Sequence, residues 1–246
     1  MEFLFELFKR IPRQGPGSER STLKALSKIS LPDKPKVLDA GCGTGNQTLA
    51  LAKELDADIT AVDIHQPYLD ILWHLAYHLK LKGRIDTIAA SMDDLPFPKN
   101  HFDLIWSEGA VYIMGFEKGL QYFQHFLKPG GYIAVTEISW FRNDALDELK
   151  EFWQNEYPDI KTVDQNINVI KELGFELVDH FPLPASDWLD EFNNPLQQRI
   201  QYFRSQNLKD QESIEILDMT EQEIQLFKKY SDFYGYEFYI MENTKK

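Results

Sequence analysis

Three glycines stand within five residues in Gly41-Cys42-Gly43-Thr44-Gly45, directly after the apolar run Val37-Leu38-Asp39-Ala40. An acid, Asp63, closes the next such run, Asp58-Ile59-Thr60-Ala61-Val62. Glycines so closely spaced cost backbone entropy and are kept where a side chain would obstruct something. At the end of a strand, that something reads as a ligand lying over the loop. A carboxylate presents two oxygens with several lone pairs, enough to accept both hydroxyls of a ribose. Asp63 stands roughly 20 residues past the loop, as the ribose-binding acid does in nucleotide-binding βαβ units. The other use of such an acid is to cap the helix that Pro67 opens. Loop and acid together predict a nucleoside ligand.

The glycine spacing narrows the ligand. A dinucleotide fingerprint reads Gly-x-Gly-x-x-Gly, whereas this loop runs Gly41-x-Gly43-x-Gly45 and continues with Asn46. The Gly-Lys-Ser/Thr ending of a phosphate-cradling loop is also missing. The loop therefore fits a ligand without a pyrophosphate. The helix that follows begins near Asn46 and offers unpaired N–H groups there.

These residues need a scaffold, and the pattern supplies one. Strands are expected at Lys36–Asp39, Asp58–Asp63, Ile85–Ala90, Phe102–Trp106, Tyr132–Thr136, Phe175–Phe181 and Tyr236–Met241. Helical spacing lies between them, as in Leu69, Leu72, Trp73, Ala76 and Leu79, which read as core contacts closed by Gly83. Ser18 is expected to cap an early helix through Leu23, Leu26 and Ile29. Alternation of apolar strands with helices predicts an α/β fold, its mostly parallel sheet covered on both faces. About fifty residues of helical character separate the last two strands, long for a connection and suited to a cover. There, Thr220-Glu221-Gln222-Glu223 has the form of a capping box that opens a helix through Ile224, Phe227 and Tyr230.

Composition bounds the rest. The 246 residues suit one domain, 1–246, with a cap segment 1–30, a core 35–184 and 233–243, and a helical insertion 185–232. With 39 acidic against 26 basic residues the formal charge is −13, which repels phosphate backbones and argues against nucleic acid. Cys42 is the one cysteine, so no intramolecular disulfide forms, and a cytoplasmic location is expected. No apolar run approaches the roughly 20 residues of a membrane span. The N-terminal run Met1–Phe8 carries two glutamates and reads as an amphipathic segment docked on the domain, with no stable membrane insertion. His74 and His78 lie one helical turn apart without a third ligand, so packing or surface roles are expected and no metal. Oligomeric state stays open, a homodimer included.

Leu38-Asp39-Ala40-Gly41-Cys42-Gly43-Thr44-Gly45 resembles the first motif of class I S-adenosylmethionine (SAM)-dependent methyltransferases. Ser91-Met92-Asp93-Asp94-Leu95-Pro96-Phe97, Phe102-Asp103-Leu104-Ile105 and Leu127-Lys128-Pro129-Gly130-Gly131 resemble the later motifs, in order. The resemblance covers about residues 35 to 140. It leans toward the ubiquinone/menaquinone-biosynthesis C-methyltransferase-like group. Arg13–Ser18, Trp106–Tyr112 and Tyr234–Ile240 resemble a bacterial subgroup of it.

What the resemblance implies is a Rossmann-like sheet of seven strands, the last antiparallel. Asp39 and Gly41, Cys42, Gly43, Gly45 and Asn46 would hold the methionine part of SAM. Asp63 would bind the ribose, with Ile64 beside the adenine. Ser91, Met92 and Asp93 would border the adenine; many members carry an acid where Ser91 stands. Ser107 and Glu108 would face the methyl group. Such an enzyme places an acceptor in line with an electrophilic methyl, excludes water and in some cases removes a proton, leaving S-adenosylhomocysteine. Glu108 is the first candidate for orienting the acceptor or taking its proton, and Tyr112 the second. Glu137 and Trp140, ending the fifth strand, are expected to line the pocket. Arg13 is a candidate carboxylate contact if the N-terminal loop closes over SAM. The reading is a SAM-dependent methyltransferase acting on a small molecule. Its rivals are a SAM-binding protein without transferase activity and an NAD-type oxidoreductase.

Overall fold

The computed structural model describes residues 2–206 and 208–245; Met1, Asn207 and Lys246, which the expected domain includes, lie outside the described residues. Two helices, α1 (Glu2–Phe8) and α2 (Glu19–Leu26), precede the sheet. The chain then alternates through β1 (Lys36–Ala40), α3 (Asn46–Glu54), β2 (Asp58–Asp63), α4 (Gln66–His78) and β3 (Ile85–Ala89). It continues with β4 (Phe102–Ser107), a 3-10 turn (Val111–Met114), α5 (Phe116–Phe126) and β5 (Leu127–Trp140). The remainder holds α6 (Asp147–Glu156), β6 (Lys161–Thr162), α7 (Val163–Glu172) and β7 (Phe175–Pro182). Next, α8 (Ala185–Trp188) runs through a π-helical turn (Leu189–Asn193) into α9 (Asn194–Ser205). Last come α10 (Gln211–Tyr230) and β8 (Tyr234–Asn243).

One sheet orders these strands β3-β2-β1-β4-β5-β8-β7, with β6 pairing β5 off that path. Strands β1 to β5 pair in parallel, and β8 runs antiparallel to both β5 and β7. The eighth strand is β6, two residues long and too short to show a period of two in sequence. Both faces are packed. Val37 and Leu104 face one apolar layer, while Leu38 and Ile105 face the other. Strand order reverses between β1 and β4, where ligands of open α/β sheets bind.

Three expectations need correction. Thr220 does not open a helix: it sits inside α10, its hydroxyl donating to the Ile216 carbonyl, and Asp210 caps that helix. A capping box does occur at Thr162 and Gln165, opening α7. On α4, Leu69, Leu72 and Ala76 are buried, but Trp73 and Leu79 are 47% and 48% exposed. The helix also ends at His78, ahead of Gly83. The early helix capped by Ser18 ends at Leu26, ahead of Ile29.

The N-terminal segment and the helices between β7 and β8 meet above the carboxyl ends of the strands. Leu7 of α1 is wholly buried among Phe192, Leu196, Ile200, Leu217 and Ile224. Arg199 donates to the Glu6 carbonyl. Asp187 accepts from the hydroxyls of Ser18 (2.9 Å) and Ser21 (2.5 Å), fastening α2 to α8. No described helix is long and apolar enough to cross a membrane.

Candidate active site

The β1–α3 loop owes its shape to its glycines. Gly41, Gly43 and Gly45 all have φ between +55° and +82°, where a side chain is strained. A Cβ on Gly41 would stand 2.5 Å from the Ala110 methyl, and one on Gly45 would stand 2.3 Å from Leu72 Cδ1. Those two glycines are therefore required by the protein's own packing. Gly43 meets the side chain of Gln14, whose Oε1 would lie 2.5 Å from a Cβ there.

Every N–H of the loop is already paired. Gly41 and Cys42 donate to the Val62 carbonyl, and Gly45 to that of Cys42. Gly43 donates to Asp63 Oδ2, and Thr44 to Gln14 Oε1. A loop with its donors spent has none left to cradle a pyrophosphate, in keeping with its glycine spacing. The start of α3 is covered as well, because the Asn46 amide donates to the Pro12 carbonyl. Asn46 borders a separate hollow with Ser18 and Asp187, so the expected ligand contact at that helix start is not where the structure opens.

The opening lies over β1, β2 and β4. A cavity of about 470 Å³ is lined by Gly41, Cys42, Gly43, Asp63, Ile64, Glu108 and Tyr112. Gln47, Tyr68 and Ile113 line it too, and Leu4, Phe5, Phe8 and Arg13–Pro16 roof it. The volume is that of a small-molecule site. Asp63 accepts from Gly43 N–H and His65 N–H, both at 2.8 Å, one on each oxygen. Each oxygen keeps a lone pair for a further donor. Burial raises the Asp63 carboxyl above its usual range, against the pull of those two N–H groups. Beside it Ile64 is 65% exposed, an apolar side chain held at the cavity wall.

The remaining expected residues fall outside that lining. Asp39 is wholly buried, accepting from Thr48 Oγ1 at 2.5 Å and Gln47 Nε2 at 3.4 Å. Burial pushes its carboxyl up to about 7. Ser107 is buried too, its hydroxyl donating to the Ala40 carbonyl. Met92 is buried under Gly41. Ser91 is half-buried and Asp93 exposed.

Glu108 lines the cavity with its oxygens occupied. Arg13 Nη1 donates to Oε2 at 2.6 Å, while Thr22 Oγ1 and Trp106 Nε1 donate to Oε1 at 2.6 and 2.8 Å. Both partners of the ion pair are buried, at 6% and 4% exposure. A guanidinium and two further donors leave that carboxylate few free lone pairs to meet a substrate. Arg13 thus meets a carboxylate of its own chain. Tyr112 reaches the cavity freely, its ring edge-on to Tyr157. Glu137 and Trp140 do not line the cavity. Glu137 is 2% exposed and accepts from the Tyr157 hydroxyl, and burial raises its carboxyl to about 8. Trp140 packs edge-on against Tyr234. His74 and His78 pack edge-on against Trp73 and Tyr77.

Sequence reasoning expected the N-terminal segment and the 185–232 insertion to cover the pocket, and missed the contacts that fasten the N-terminal part. Gln14 fixes the glycine loop, Tyr68 donates to the Phe5 carbonyl, and Phe5 stacks on His65 at 4.1 Å. The aromatic N-terminal run signalled a cover, but its pairing with His65, Tyr68 and the glycine loop has no local pattern in sequence.

Known proteins share parts of this sequence and its fold. Residues 37–131 match a family described as a methyltransferase domain. The chain is 28% identical over 189 residues to a sterol 24-C-methyltransferase, erg-4, of Neurospora crassa, spanning 73% of this chain and 49% of that protein. It is 31% identical over 142 residues to the ubiquinone/menaquinone biosynthesis C-methyltransferase UbiE of Psychromonas ingrahamii, spanning 56% and 52%. The chain thus spans about half the length of these relatives. The likeness to the quinone group is real but not exclusive, since the sterol enzyme matches over a longer stretch. A solved SAM-dependent methyltransferase from Geobacter sulfurreducens, in complex with S-adenosyl-L-homocysteine, superposes with a TM-score of 0.85 at 16% identity, covering 98% and 97% of the two chains. Residues 37–131 thus resemble a methyltransferase domain, and the whole chain has the Rossmann-like α/β fold of that solved SAM-dependent methyltransferase.

Proposed function

We propose that the chain is a SAM-dependent methyltransferase acting on a small molecule. The observation that carries this reading is the roofed cavity at the β1–β4 switch point, which joins Gly41–Gly43 to Asp63, Ile64 and Tyr112. The residues present suit SAM. Asp63 has lone pairs for ribose hydroxyls, Ile64 offers an apolar face for adenine, and the paired loop amides demand no phosphate. Bound there, SAM supplies an electrophilic methyl group that needs no metal to react.

The chain's own residues would orient and enclose. Glu108 is assigned here to holding the Arg13 loop closed over the cavity, because its oxygens are committed. Tyr112 stands where an acceptor would be oriented. Asp39 supports the loop from below through Thr48. Gly45, Asn46, Ser91, Met92, Asp93 and Ser107 shape the surroundings of the cavity. The acidic surface, with a formal charge of −13, favours a small acceptor over nucleic acid and suits a cytoplasmic protein. A homodimer is compatible with this reading, and light scattering would settle it.

The test is calorimetry with SAM and with NAD, then S-adenosylhomocysteine release across a metabolite panel. SAM affinity with turnover is the expected result. Tight SAM binding with no turnover on any acceptor would favour a binding protein, and NAD affinity without SAM affinity would sink the proposal.

A further inference from the structure

A second cavity of about 250 Å³ adjoins the first, and the two share Leu4, Phe8, Gln14, Gly15, Pro16, Gly109 and Tyr112 as a common wall. At that wall Gly15 and Gly109 face each other, a Cβ on Gly15 standing 3.8 Å from Gly109 Cα. Neither contributes a side chain, so the partition stays thin. The second cavity lies between α6, α8, α10 and β8, under the helical cover.

Its lining is aromatic and acidic. Phe152, Trp153, Tyr157, Trp188 and Tyr236 present rings, together with Tyr112 of the shared wall. The only charged side chains among the described lining residues are Glu156 and Glu223. Neither is ion-paired among the described residues. Burial and the charge of Glu156 together raise the Glu223 carboxyl to about 7. The one guanidinium among the described residues lining either cavity, Arg13, is consumed by Glu108. A ligand bearing phosphate or carboxylate would enter a negative field with no counter-charge.

Two buried donors add an independent sign of a ligand. The indole N–H groups of Trp153 and Trp188 have no hydrogen-bond partner, although these residues are 7% and 2% exposed. A buried donor left unpaired is costly, and both residues line the chamber. They suit a ligand that also carries a neutral oxygen acceptor.

Resting on the reading of the larger cavity as the SAM site, we propose that this chamber is an adjoining subsite that binds a compact cationic amine bearing a hydroxyl or ether oxygen. Aromatic faces attract a cation through their quadrupoles, most strongly when it is desolvated. The carboxylates of Glu156 and Glu223 supply the counter-charge that the chamber otherwise lacks. A cation there also relieves the repulsion between them. Its volume, just below the usual range of about 300–1,000 Å³ for ligand sites, sets the size as compact.

The test compares choline with 3,3-dimethylbutan-1-ol, which differ by one positive charge at constant shape. Binding to the full chain is followed by tryptophan fluorescence, with and without S-adenosylhomocysteine, whose own binding is measured separately. Choline is expected to bind at least ten-fold tighter than the alcohol. Glu223→Gln is expected to remove most of that preference while S-adenosylhomocysteine affinity holds. Equal affinity for the two probes, or no binding of either, would overturn the amine subsite even if S-adenosylhomocysteine binds well. Absence of S-adenosylhomocysteine binding alongside a choline preference would overturn the SAM reading and leave the cation site standing. An unchanged preference in both Glu223→Gln and Glu156→Gln would remove the carboxylates from recognition.

Discussion

Asp63 holds two backbone N–H groups and keeps lone pairs toward the cavity. It therefore serves as a turn anchor and a candidate ribose acceptor together, and the two uses need not compete. Asp63→Ala is expected to weaken SAM binding by about 1–3 kcal/mol, the scale of losing a charged hydrogen-bond partner. Unchanged affinity in calorimetry would take Asp63 off the ribose. The Arg13–Glu108 pair makes a different kind of prediction. Arg13→Met leaves a buried carboxylate uncompensated and should cost about 3–5 kcal/mol in urea unfolding. Adding Glu108→Gln should recover part of that loss; a double variant no more stable than Arg13→Met would contradict the pairing. Asp63 could be found from sequence because it closes a strand. Glu108 was visible only as a position, since its partners Arg13 and Thr22 lie 95 and 86 residues away.

Among elements, the glycine loop is rigid for reasons internal to the fold. At Gly45 a side chain meets Leu72 of α4 at 2.3 Å, and φ is +82°. Gly45→Ala is expected to destabilise by about 1–3 kcal/mol through backbone strain alone. Chemical denaturation checks it, and adding Leu72→Ala should cost less than the sum of the single changes because the two sites touch. Helix α1 is the other informative element. Its seven residues are too few to persist alone, so packing holds them. Leu7→Ala should lose about 2–5 kcal/mol by opening a cavity where α1 meets α9 and α10. A melting temperature equal to the parent's would mean that the roof is not fastened there. Most strands were read nearly to their ends because apolar period reports burial directly, but β5 runs from Leu127 to Trp140 where only Tyr132–Thr136 was expected. Thr220 misled because a capping box is local chemistry that a long helix, once packed, simply runs through.

Across the whole molecule burial raises several carboxyls, among them Asp39 to about 7, Glu137 to about 8 and Glu223 to about 7. The folded state keeps these protons where the unfolded chain, titrating at 3.8 to 4.5, has lost them. Their contribution to stability is complete below that range and lost as pH rises through about 7 to 8. Melting temperature is therefore expected to fall between pH 5 and pH 9. Glu137→Gln, which removes one titration while keeping an acceptor for Tyr157, should make the fall shallower; an unaltered slope would contradict the raised Glu137. The net charge of −13 adds repulsion in the same direction as pH rises.

By itself the sequence determined the sheet, the glycine loop and the acid after it, because strand period and loop chemistry are written within a few neighbouring residues. The tertiary structure decided how the cover is fastened over them. Asp187 reaches Ser21 across 166 residues, and Arg199 reaches Glu6 across 193. Such contacts carry no local period, so the roof, the thin wall at Gly15 and Gly109 and the acidic aromatic chamber behind it exist only once the helical cover has docked.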